Sequence, residues 1–130
     1  EALRLAQETR GEESGRLIQL RDQLIDGIAK KLPNAVLNGH RTQRLPNNIN
    51  ISIPGIEGEE LVIRLDAHGI AASTASACKG GSEMSHVLRA LHISDARVLG
   101  SIRLSLGQQT RATDIRYVLR TLPEIVAQMR

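Results

Sequence analysis

Apolar residues recur at helical spacing near the start of the chain: Leu17, Leu20, Leu24, Ile25, Ile28 and Leu32. Steps of three and four put them on one stripe of a helix. Leu3, Leu5 and Ala6 extend the pattern backwards, with Gly11 and Gly15 as weak points. Pro33 lacks an amide donor and restricts the residue before it, so the helix is predicted to end at Leu32. Ala35 to Leu37 reads as a short strand, and the polar run from Asn38 and Gly39 to Arg44 as a turn or loop. The period then changes to two. Ile49, Ile51 and Ile53 alternate with Asn48, Asn50 and Ser52, the pattern of a strand with one buried face. Pro54, Gly55 and Gly58 close it. Glu59 and Glu60 suit a helix N-terminus, Leu61, Val62 and Leu65 supply its stripe, and Gly69 suits the position just past its end. Ile70 to Ala72 is predicted as a short strand. Ser85 and Ser94 are N-cap candidates for two short helices, the second running through Leu99 and closed by Gly100. A second alternation covers Ser101 to Leu106, with Ile102, Leu104 and Leu106 on one face and Ser101, Arg103 and Ser105 on the other. A last helix opens at Thr110 or Arg111 and carries Ile115, Val118, Leu119 and Leu122. Pro123 is predicted to interrupt it, and the capping-box spacing of Thr121 and Glu124 predicts a new helix from about Leu122.

Helices and mostly antiparallel strands mix without a βαβαβ rhythm, so the fold class is α+β. Residues 1–130 form one domain, with 1–32 as a largely helical lead-in and 73–84 as a loop. Hydrophobic residues make up 41% of the chain, enough for a folded core. Tyr117 is the only aromatic, which makes the core aliphatic and argues against a base-stacking nucleic-acid module. A net charge of +3 does not by itself point to a nucleic-acid partner. The single cysteine excludes an internal disulfide, and the four histidines have no metal spacing. No apolar run is long enough to span a membrane, and a reducing cytoplasm is the default expectation. The chain opens at Glu1 already in a helical pattern, which suggests a piece of a longer protein.

The candidate chemistry centres on Cys78. Ala71 to Ala77 before it are small, and Lys79, Gly80, Gly81 and Ser82 follow it. Small and glycine-rich sequence on both sides of a thiol describes a loop. Lys79 and a following helix N-terminus would both favour the thiolate. The competing reading is a small buried hydrophobe. Arg103 falls off the core face of its strand, where a guanidinium can bind a carboxylate; its competing reading is an ordinary exposed strand arginine. Ser85 reads as a cap. His86 and Arg89 share a helix face at i and i+3, with His86 ordering the base of the loop. Asn47 and Asn48 read as turn chemistry.

SASAC, a short Gly/Ser loop, SHVLRAL and then SIRLSLG resemble the C-terminal part of cysteine desulfurases of the NifS/IscS type, in the class V aminotransferase family. RLPNNINIS upstream and the T-x-x-x-D-I-like final segment fit the same family. The resemblance covers nearly the whole chain from Leu3. It implies the small C-terminal domain of a fold-type I pyridoxal-phosphate (PLP) enzyme, a small antiparallel sheet with helices packed on it. It implies that Cys78 attacks the sulfur of a cofactor-bound cysteine, leaving alanine and a persulfide for iron–sulfur cluster or thio-cofactor and tRNA supply. It assigns Arg103 to the substrate carboxylate. It places the cofactor lysine in a preceding domain, so this segment alone is expected to bind no PLP and to be inactive. The partners implied are that PLP domain, a second copy in a homodimer and a sulfur-acceptor protein. The sequence departs from the family pattern at Ala75, commonly glycine, at Met84, commonly proline, and in a loop one residue shorter. A stand-alone persulfide carrier or an interaction module is the alternative.

Overall fold

The structure, a computed structural model, describes residues 1–74 and 85–130. The apolar stripe of the first segment forms α1 (Ala2–Lys31), whose final turn carries Lys30 and Lys31. Leu32 closes it by donating a hydrogen bond from its N–H to the Ile28 carbonyl at 2.8 Å, immediately before Pro33. Two short strands follow, β1 (Val36–Leu37) and β2 (Asn48–Ser52). Next come α2 (Gly58–Ala67), α3 (His86–Ala90), α4 (Asp95–Leu99), β3 (Ser101–Ser105) and α5 (Ala112–Gln128). The three strands form one antiparallel sheet in the order β1-β2-β3. This is the α+β arrangement that the periodicities imply.

Period-two alternation decides which face of the sheet is covered. Ile49, Ile51, Ile53, Ile102, Leu104 and Leu106 are buried among α1, α2 and α5. Leu24, Leu61, Leu65, Leu122, Ile125 and Val126 pack over them. Burying such a side chain stabilises the fold by roughly 1.5–3 kcal/mol. The opposite face of the sheet carries Asn48, Asn50 and Ser52, set against Ser105, Arg103 and Ser101.

Two expectations fail for local reasons. Ile70 to Ala72 does not form a strand; only Ser73 pairs, through an isolated bridge to Arg103. The first amide of that stretch is already used. Gly69, at φ +72°, donates to the Asp66 carbonyl and Ile70 donates to Leu65, closing α2 in a Schellman motif. Nor does Pro123 interrupt the last helix, which is continuous through it. Proline inside a helix costs about 3 kcal/mol. Ile125 and Val126, beyond it, are almost fully buried on the same stripe as Ile115 and Leu122, and their burial offsets that cost.

Candidate functional site

Arg103 is exposed on β3, on the polar face, and among the described residues its guanidinium makes no hydrogen bond or ion pair. Its backbone is fixed on both sides. Its N–H donates to the Ser73 carbonyl at 2.6 Å, and its carbonyl accepts from the Ser73 N–H at 3.1 Å. Across the sheet its partner is Asn50. The chain therefore turns into the segment containing Cys78 directly beside Arg103. Cys78 itself, with Lys79, Ala75 and Met84, lies outside the described residues, as does most of the predicted 73–84 loop.

The far end of that segment returns at Ser85, which is half-buried. Its Oγ accepts from the Leu88 N–H at 3.4 Å, a long bond in the capping position expected for it. His86 begins α3. This helix has only five residues. A helix that short has a weak dipole, so its N-terminus supplies little of the positive potential expected there.

Beside Arg103 lies a polar network that the one-dimensional pattern does not show. Asn38 is 2% exposed and bonds to four groups through its side chain and carbonyl. Its Nδ2 donates to Asn50 Oδ1 at 2.7 Å and to Ser52 Oγ at 2.8 Å. Its Oδ1 accepts from Arg97 Nη2 at 2.8 Å, and its carbonyl oxygen accepts from Arg44 Nη2 at 2.5 Å. Burial, with the nearby guanidiniums of Arg21 and Arg41, pushes Arg44 below the usual arginine value. Asp22 balances part of this charge. Burial raises its carboxyl, but hydrogen bonds from Arg21 and Arg41, both at 2.9 Å, outweigh that and hold it below the ordinary aspartate value. These contacts bind the loop between β1 and β2 to α1. Asn47 has a structural role, donating from Nδ2 to the Leu106 carbonyl at 3.3 Å.

The described residues hold no group of three or more metal-ligating side chains, and no described helix is long and apolar enough to cross a membrane. For a lysine Schiff base of the kind that holds PLP, the described residues offer only Lys30 and Lys31. Lys30 and Lys31 are exposed at the end of α1, which packs against the apolar side of the sheet, whereas Arg103 lies on the polar side.

Residues 1–118 match the aminotransferase class-V family. The chain belongs to that family. It is 50% identical over 121 residues to a protein named cysteine desulfurase IscS from Methanosarcina thermophila, covering 92% of this chain and 30% of the relative. A protein of the same name from Clostridium botulinum is 46% identical over 132 residues, covering 99% of this chain and 33% of the relative. Among solved structures, a NifS-like protein from Rickettsia africae superposes with a TM-score of 0.80 at 28% identity, covering 95% of this chain and 31% of that one. The chain thus spans about a third of the length of the curated relatives it matches.

Proposed function

We propose that this chain is the C-terminal small domain of a PLP-dependent cysteine desulfurase, which takes sulfur from L-cysteine and leaves L-alanine. The observation that carries this reading is the bridge between Arg103 and Ser73, considered together with the similarity to cysteine desulfurases over nearly the whole chain. The bridge sets a solvent-facing guanidinium at the point where the chain departs towards its one cysteine. Cys78 stands five positions beyond Ser73, and covalent geometry limits that span to about 18 Å. A thiol on such a tether can serve a substrate held near Arg103 and then a second site.

In this reading Arg103 holds the α-carboxylate of cysteine, a charge-assisted contact that also orients the substrate. The Cys78 thiolate attacks the substrate sulfur. The new S–S bond forms as the carbon–sulfur bond breaks; the electron pair stays with carbon, which takes a proton to become alanine. Cys78 is left as a persulfide. The electron sink for that carbon is the chemistry PLP supplies, from a part of the protein outside these residues. Ser85, through its bond to the α3 backbone, and His86, at the start of α3, are assigned a supporting role in this reading. Further partners in this reading are a sulfur-acceptor protein, for iron–sulfur clusters or thio-modification, and a second copy of the enzyme, all in the cytoplasm.

The complete protein, supplied with PLP and L-cysteine, should release alanine. Arg103→Ala should raise the cysteine KM by about ten- to a hundredfold, the loss expected for a hydrogen bond to a charged group, without lowering the melting temperature. A wild-type protein that forms no alanine would return the domain to a carrier or interaction role. A variant that melts early with normal kinetics would make Arg103 structural.

A further inference from the structure

Asn50 stands directly opposite Arg103 on the polar face of the sheet. Arg103 directs both backbone groups to Ser73, away from β2. Its pairing with Asn50 is therefore the narrow, non-hydrogen-bonded kind, in which facing side chains come closest. The orientation of the Asn50 amide follows from a chain of bonds that begins at an arginine. A guanidinium can only donate, so the Asn38 atom receiving Arg97 Nη2 at 2.8 Å must be its oxygen. Asn38 Nδ2 then faces the other way and donates to Asn50 and Ser52. The atom of Asn50 that receives it, at 2.7 Å, must in turn be Oδ1. This leaves Asn50 Nδ2, a group with two hydrogens to donate, with no hydrogen-bond partner among the described residues. Donor groups at two facing positions, Arg103 exposed and Asn50 half-buried, call for an acceptor with two oxygens.

We propose that Asn50 is the second half of a carboxylate clamp, its Nδ2 and the Arg103 guanidinium together holding the α-carboxylate of the amino-acid substrate. Asn38 and Arg97 are positioning residues that keep the Asn50 amide turned donor-outward. This rests on the desulfurase reading above, and adds to it a residue pair and the network that orients one of them.

The test uses the complete PLP-loaded enzyme with Asn50→Asp. Aspartate keeps the shape and still accepts from Asn38, but presents an oxygen where the amide nitrogen stood. The cysteine KM should rise about tenfold or more, with kcat within about twofold of wild type. The affinity for L-alanine, measured by calorimetry, should fall by a similar factor. The inhibition constant of cysteamine, which has the amine and thiol but no carboxylate, should not change. Asn50→Ala removes the donor without adding charge and should show the same pattern with a smaller rise, so one misfolded variant does not decide the outcome. A folded variant with wild-type KM, or one that weakens cysteine and cysteamine equally, overturns the clamp. A wild-type enzyme that forms no alanine overturns the desulfurase reading and the clamp with it, and is distinct from an unchanged KM.

Discussion

Arg103 was legible as a candidate because strand alternation alone puts it off the core face, and it is exposed there. Asn38, Asn50 and Arg97 were not legible. Their bonds join positions 12 to 59 residues apart, and polar residues in a turn, a strand and a short helix carry no shared periodicity. Arg21 was hidden for a related reason: it falls within a helical stripe of leucines, yet is 2% exposed because Asp22 and the Leu45 carbonyl satisfy it. Asp22 yields a pH prediction. Its carboxyl is held lower in the fold than in the unfolded chain, where aspartate titrates near 3.9. Its contribution is therefore fully present above that value and is lost as pH falls through the lower, folded value. With a side chain 36% exposed, the pair is only partly screened from water, and Asp22→Asn should cost about 1 kcal/mol at neutral pH. Urea melts at pH 7 and pH 3 should show that difference shrinking at the lower pH. A difference that is equal at both would assign the cost to packing.

Elements were the most legible scale, because each periodic run found a partner that buries its stripe. The long first helix, the β1 and β2 strands, the α2 cap at Gly69 and the two short helices all lie where their patterns put them. The two misses share a cause: a local rule met a stronger neighbour. The Schellman closure took the first amide of the supposed strand, that of Ile70, and the packing of Ile125 and Val126 carried α5 through Pro123. Gly100 shows a third kind of information absent from the sequence. It closes α4 as expected, but a Cβ there would stand 2.6 Å from the Ile53 carbonyl oxygen and 3.0 Å from that of Ile56. The Gly100 carbonyl meanwhile accepts from the Ile53 N–H at 2.9 Å, so the backbones cannot separate without losing that bond. Gly100→Ala should destabilise the domain by about 1–3 kcal/mol, as overpacking does, despite the higher helix propensity of alanine. Chemical denaturation measures this, and unchanged stability would mean the two backbones can part freely.

At the scale of the molecule, one sheet divides two roles. Its aliphatic face is sealed by α1, α2 and α5 and supplies the stability; its polar face carries the residues proposed to bind substrate. Fold class could be read from the succession of periods, whereas the strand order and the Ser73 bridge depend on contacts far apart in the chain. The division predicts that the proposed nucleophile can be removed without loss of the fold. In the complete enzyme, Cys78→Ser should leave stability within about 1 kcal/mol of wild type, since exchanging a thiol for a hydroxyl removes little volume. The most direct measurement incubates wild-type and Cys78→Ser enzyme with L-cysteine and maps enzyme-bound sulfur by mass spectrometry. One extra sulfur on the peptide containing Cys78 in the wild type, and none in a normally folded variant, is the predicted result; persulfide on the serine variant, or on another peptide of the wild type, would contradict it.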